Sequence, residues 1–146
     1  MMARVSTYLN FSRKTEEAFN FYKTVFGTEF VSGISRMGDR PQGAGKSKLA
    51  EEDKNLIMHI ALPTIGDHIL MGTDVLESFG STFKAGNSMY INLEPDTYLE
   101  AEKLYLALSE GGKIEMTLRK MYWGDYYAAF IDKFGISWMI NSPAEA

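Results

Sequence analysis

The order of its segments predicts that this chain has an α+β fold made of two tandem βαβββ modules. Two stretches carry apolar residues at helical spacing and end on glycine: Ala18, Phe19, Tyr22, Val25 and Phe26 before Gly27, and Ala101, Leu104, Tyr105 and Leu108 before Gly111-Gly112. One β-prone segment precedes each stretch and three follow it. A chain of 146 residues with 45% hydrophobic and 23% charged positions can bury a core of its own. One domain over 1–146 is expected, with an N-terminal module over about 3–74 and a C-terminal module over about 87–142.

In the first module, residues 5–11 read as a strand. Thr15-Glu16-Glu17 supplies an N-cap and two carboxylates for the start of a helix over about 15–26. Extended segments follow at 29–37, 55–63 and 67–72, the last two joined by Thr64-Ile65-Gly66. The second module repeats the order with a strand over 88–93 and a helix over about 99–110. Its extended segments lie at 113–123, where Ile114, Met116 and Leu118 alternate, then at 126–132 and 136–141. Eight main strands and two helices result. With both helices assigned to the core, no exposed amphipathic segment is left for a pure protein-interaction role.

The loop over 38–53 holds Gly38, Pro41, Gly43 and Gly45 with several charges and no apolar periodicity, a pattern of functional or disordered connections. Gly43-Ala44-Gly45-Lys46-Ser47 superficially suggests a phosphate loop. The first glycine of G-x-x-x-x-G-K-[ST] would have to stand at position 40, which is Arg40, so a nucleotide site is rejected. The net charge of −4 gives no electrostatic footprint for nucleic acid. Cysteine is absent, which excludes disulfides, thiol nucleophiles and iron–sulfur clusters. No segment has the length of a signal peptide's apolar region or of a membrane span, so a soluble cytoplasmic protein without membrane partners is expected.

A more specific string lies near the C-terminus: Trp123-Gly124-Asp125-Tyr126-Tyr127, then Asp132-Lys133-Phe134-Gly135-Ile136-Ser137-Trp138-Met139-Ile140-Asn141. Further pieces stand in order before it, among them Tyr8-Leu9-Asn10-Phe11, Phe21-Tyr22, Val25-Phe26-Gly27, Met58-His59, Leu70-Met71-Gly72 and Leu108-Ser109-Glu110-Gly111-Gly112. Over nearly its whole length the chain resembles the PhnB-like, or demethylubiquinone methyltransferase-like, branch of the vicinal oxygen chelate superfamily, which includes glyoxalases, bleomycin resistance proteins and dioxygenases. The resemblance implies cupped mixed sheets and a homodimer, and the apolar strands of a sheet that one small chain cannot fully cover point the same way. Superfamily enzymes hold a divalent metal through four side chains on the first and last strands of each module. Here those positions fall at or within one residue of Thr7, Met71, Tyr90 and Met139, which do not make a ligand set for a hard or borderline ion, so no metal is expected. Methyl transfer would need a glycine-rich strand-to-helix turn for its cofactor; no strand here ends in one, and no cofactor is expected.

His59 is the main candidate for chemistry. On a strand face with Ile57 and Ala61 it is either a hydrogen-bonded structural histidine or a general base in a sheet-lined cavity. His68, beside Gly66-Asp67, reads as exposed. Trp123 and Tyr126 are either core or ligand contacts; alternation sends Trp123 to the face of Glu115, Thr117, Arg119 and Met121, a mixed lining that suits a ligand cavity. Asp125 and Asp132 read better as turn residues than as a catalytic pair. Met58, Met71, Met116, Met121 and Met139 suggest an adaptable interior. Two functions follow: a binding protein for a small organic ligand contacted by His59, Trp123, Tyr126, Arg119 and Glu115, or a metal-independent lyase or isomerase in which His59 exchanges a proton with substrate held by Arg119 or Glu115.

Overall fold

In a computed structural model, residues 3–39 and 49–143 are described. The phosphate-loop candidate and most of the long loop lie outside them. The chain divides into two compact units, Met1–Lys84 and Ala85–Ala146, each a βαβββ module as the sequence predicts.

The first module contains β1 (Thr7–Phe11), α1 (Thr15–Phe26), β2 (Ser35–Arg36), β3 (Ile57–Pro63) and β4 (Ile69–Asp74). Its sheet has the order β1-β4-β3-β2, with β1 parallel to β4 and the other pairs antiparallel. The crossover through α1 is what allows β1 and β4 to run parallel. Helix α1 buries Thr15, Ala18, Phe19 and Tyr22 against a sheet side that carries Leu62, Leu70 and Gly72. Gly72 is a seat for the helix: a Cβ there would lie 2.5 Å from the Phe19 ring and 3.1 Å from Thr15.

The expected extended segment at 29–37 shrinks to the two residues of β2. Val31 still donates its N–H to the Ala61 carbonyl, but Ser32 and Gly33 both take positive φ, 61° and 80°, and turn the chain out of the ladder. The Ser-Gly dipeptide was the available signal. Near this turn a smaller cluster forms from Met37, Leu49 and Leu56, with Met58 and Leu76 packed against it.

The start of α1 also differs from expectation. Thr15 is the first helical residue rather than the cap, and Lys14 before it offers no side-chain bond. The acceptor comes from the end of β4: one Asp74 oxygen takes the Thr15 N–H at 3.1 Å and its hydroxyl at 2.8 Å, while the other takes the Ile57 N–H at 2.8 Å. A buried carboxylate thus joins helix and sheet, and it meets the positive end of the helix dipole. At the other end Gly27 adopts φ 66° and closes α1 on the Lys23 carbonyl, as its position predicts.

The second module contains β5 (Ile91–Leu93), α2 (Tyr98–Ser109), β6 (Lys113–Lys120), β7 (Tyr126–Ile131) and β8 (Ser137–Ser142). Its sheet repeats the topology as β5-β8-β7-β6, with β5 parallel to β8. Thr97 caps α2, its hydroxyl accepting the Glu100 N–H at 3.1 Å. Ala101, Leu104 and Leu108 are buried, Tyr105 meets Phe130 edge to face, and Trp138 and Ile140 are wholly buried. Asp132 closes the β7–β8 turn as expected: one oxygen takes the Phe134 and Ile136 N–H groups and the other takes the Trp138 indole N–H at 2.8 Å. One expectation fails on α2. It is apolar on more than one side, and Leu99 and Leu106 remain exposed.

Candidate functional site

Strand alternation gives each sheet a side toward its helix and a far side. In the first module the far side carries Tyr8, Ala61 and Met71, which are register partners across β1, β4 and β3. His59 shares it. The Tyr8 hydroxyl and His59 Nδ1 lie 3.0 Å apart, with the rings 5.8 Å between centroids. Partial burial pushes the Tyr8 phenol above its ordinary range, so it is protonated at neutral pH. When the phenol donates to Nδ1, a neutral His59 imidazole carries its proton on Nε2. The histidine is therefore oriented by a partner on the same face, and Tyr8 is a residue that sequence reasoning left out. Opposite alternation of Tyr8 and Asn10 against Leu9 and Phe11 was the signal for it.

His68 is half-buried rather than exposed, because its Nε2 meets the Thr7 hydroxyl at 2.8 Å. Both residues point to the helix side.

In the second module the far side has a paired row of Asn92, Met139, Ala129 and Met116, followed by Asn141, Tyr127 and Arg119. The side chains of Asn141 and Asn92 are hydrogen-bonded at 2.6 Å. Across this side Tyr90 donates its hydroxyl to Glu115 at 2.7 Å. That carboxylate is the leading cause of a Tyr90 phenol raised above its ordinary range, with burial second. The result is a mixed lining of thioethers, amides, a carboxylate and a guanidinium.

Glu115 and Arg119 thus come together on one face, and the other two expected contacts in this module do not join them. Strand β6 has register shifts between Ile114 and Met116 and again between Met116 and Arg119, and each extra residue breaks simple alternation. The strand ends at Lys120, so Trp123 sits in the turn before β7, 51% exposed, with its ring against Tyr122. Tyr126 pairs with Lys120 and Ser142 on the helix side, where its ring lies 4.3 Å from that of Tyr98. Its neighbour Tyr127 occupies the far side instead.

The four metal positions of the superfamily can be tested against these faces. Thr7 pairs with Leu70 on the helix side, and Met71 lies on the far side opposite Tyr8. Met139 is opposite Asn92, and Tyr90 is engaged with Glu115. Two thioethers are poor donors for a hard or borderline divalent ion, and the hydroxyl of Thr7 and the phenol of Tyr90 add no carboxylate or imidazole to them. Among the described residues no group of three or more His, Asp or Glu side chains is placed to hold a metal. The residues present do not fit the superfamily's metal.

Similarity to known proteins agrees with this architecture. The chain is 28% identical to the protein YjdN of Escherichia coli strain K12 over 144 residues, 94% of this chain and 93% of that one. Among solved structures, protein PA1353 from Pseudomonas aeruginosa is 30% identical with a TM-score of 0.84, covering 99% of this chain and all of its own. The PhnB protein from Bacillus cereus is 28% identical with a TM-score of 0.72, over 96% of this chain and 99% of its own. With the model of the Glyoxalase/Bleomycin resistance protein/Dioxygenase superfamily matching residues 5–140, the chain belongs to that superfamily, and a PhnB protein is among its structural neighbours.

Proposed function

We propose that the chain binds a small, partly aromatic or polar organic molecule on the far sides of its sheets, and that it does so as a cytoplasmic homodimer. The observation that carries this reading is the Tyr90–Glu115 hydrogen bond, set on the same face as Arg119 and beside the Met116–Met139 row. Apolar, adaptable surface with a few fixed polar anchors is the usual composition of a ligand site. The anchors in this module are Glu115, Arg119 and Tyr90; His59 and Tyr8 are those of the first module. Trp123 and Tyr126 belong to the edges of this reading, since one is in a turn and the other against α2.

The Tyr8–His59 pair favours a second reading, a metal-independent lyase or isomerase. A histidine held by a phenol has a fixed nitrogen free to exchange a proton with substrate. The test is mass spectrometry of small molecules that copurify, then titration of the recovered compound against the wild type and variants. Glu115→Gln and Arg119→Ala are expected to weaken binding about tenfold or more, the range for a lost hydrogen bond to a charged group. Unchanged affinity in Glu115→Gln, Arg119→Ala and His59→Ala alike would show that the ligand binds elsewhere. Turnover of that compound, lost in His59→Ala while affinity holds, would put the enzyme reading first.

A further inference from the structure

Tyr90 stands one residue before β5 and Glu115 is on β6, so in the order β5-β8-β7-β6 their hydrogen bond spans the whole width of the sheet. Three strand spacings come to roughly 14 Å. A phenol and a carboxylate cover that distance only when both side chains are laid out across the far side, over β8 and β7. Strict alternation from Met116 would send Glu115 to the helix side; as the extra residue of the register shift between Ile114 and Met116 it joins Met116 instead. Tyr127, on the far side of β7, adds to Glu115 and burial in raising the Tyr90 phenol, as expected of a hydroxyl held above the inner strands. Arg119 is opposite Tyr127, two to three β7 residues beyond Glu115, or roughly 7–10 Å at 3.3 Å per residue. Among the described residues it makes none of the ion pairs. Between the two charges lies the row Met139, Ala129 and Met116, a small residue flanked by two thioethers.

We propose that Tyr90 is a displaceable strap across this row, and that the ligand is a flat ring whose own hydroxyl or N–H takes Glu115 from it while an acid group at the other end meets Arg119. This rests on the ligand-binding reading above and makes Tyr90 the anchor of the empty face, one that yields when the face is filled. With the strap in place the Glu115 carboxylate has a donor. Opening it removes that donor, and a ligand lying on the face keeps water from fully replacing it. A ring that brings a donor exchanges one hydrogen bond for another at little cost, whereas a ring without one leaves the carboxylate unpaired against it. Such a site rejects the analogue that lacks the donor far more strongly than it rejects a small change in size. The ring follows from what it replaces, a phenol beside adaptable thioethers. The acid end follows from charge, since a guanidinium that no carboxylate of the described residues engages can take one from the ligand through two parallel bonds.

Three probes in calorimetric titration test the proposal: 4-hydroxycinnamate, which has both the donor and the acid, 4-methoxycinnamate, which lacks the donor, and 4-ethylphenol, which lacks the acid. In the wild type the second and third are each expected to bind about tenfold more weakly than the first. The first difference should vanish in Glu115→Gln and the second in Arg119→Ala. Tyr90→Phe frees Glu115 and is expected to tighten 4-hydroxycinnamate about tenfold, where loss of a fixed ligand contact would weaken it. Far-ultraviolet circular dichroism of each variant checks that the fold is kept. Weaker or unchanged binding in Tyr90→Phe would overturn the strap while leaving the ligand site intact. Equal affinity of the wild type for 4-hydroxycinnamate and 4-methoxycinnamate would overturn the ligand class. If neither the wild type nor Tyr90→Phe binds any of the three, strap and ligand class both fall, and the compound that copurifies still decides the ligand site on its own.

Discussion

The two modules have one topology and solve the same packing problem with different residues. At the middle of its last strand the first module has Gly72, against which the Phe19 ring of α1 rests. The last strand of the second module has Ile140, wholly buried, although both helices bury an alanine as their fourth residue, Ala18 and Ala101. The helix starts differ too: α1 borrows the Asp74 carboxylate from β4, whereas α2 caps itself with Thr97. Their outer sides part in the same way, with Asn20 and Thr24 exposed on α1 and Leu99 and Leu106 on α2. A βαβββ repeat constrains where a helix crosses its sheet. It leaves open what fills the middle of the last strand, which element supplies the cap, and what the helix shows to its surroundings.

The largest expected effect tests the helix seat. Gly72→Val should cost at least the roughly 1–3 kcal/mol typical of overpacking, because Phe19 is wholly buried and its ring has no free space to enter. Ile140→Ala should cost about 2–5 kcal/mol for the opposite reason, a cavity where the second module is filled. Urea denaturation of both variants would break the comparison if Gly72→Val proved neutral, since the close approach of α1 would then not depend on glycine.

Next come the caps. Asp74→Ala leaves the Thr15 and Ile57 N–H groups without their acceptor, and a buried charge-assisted pair of this kind is worth about 1.5–3 kcal/mol. Thr97→Ala removes one exposed cap bond, with an expected cost of about 1 kcal/mol. Equal losses in thermal denaturation would mean that the borrowed carboxylate is no stronger than a local cap.

A smaller, pH-dependent difference follows from the ion pairs. Hydrogen bonds from Arg13 and then Ser78 hold the Asp53 carboxyl below its ordinary range, and Arg36 does the same for Glu16. Both lie in the first module. Because the folded-state values are lowered, the stabilisation is present in full above the ordinary carboxylate range, about pH 4, and is lost as pH falls through the lowered values. Thermal midpoints measured from pH 7 to pH 3 should therefore fall with acid, and Asp53→Asn should be less stable at pH 7 and show a flatter profile. An unchanged profile would show that the Arg13 contact contributes nothing.

Much of this architecture was legible before the structure. The end of α1 matched because Gly27 closes the helix locally, whereas the cap at its start comes from outside the helix. Reading failed where a single residue changes the phase of a strand. The register shifts on β6 spoil the alternation used for Trp123, and Tyr126, expected as either core or ligand contact, lies on the helix side against Tyr98. Bulges come from local backbone geometry and partner strands, which composition does not encode. Asp74 was missed as a cap because its partner stands 59 residues away in sequence. The exposed stripe on α2 was missed because an apolar residue at helical spacing was taken to be core, and an extra leucine on the outer side leaves the inner pattern intact.

The finest contrast lies between the two phenols on the far sides. Tyr8 and Tyr90 both titrate above the ordinary phenol range, the first through burial and the second mainly through its hydrogen bond to Glu115. Different causes give different responses to substitution. Glu115→Gln removes the carboxylate that makes loss of the Tyr90 proton unfavourable, so that phenol should titrate lower, toward the ordinary value near 10. His59→Ala takes no charge away from Tyr8 and opens the phenol to water, so any shift there is a fall caused by solvation. Ultraviolet absorbance titration between pH 8 and 12, with Tyr90→Phe and Tyr8→Phe to assign each step, separates the two. A Tyr90 step that stays in place in Glu115→Gln would mean that burial also governs the second module, and the Tyr90–Glu115 bond would lose its standing as the polar anchor of that face.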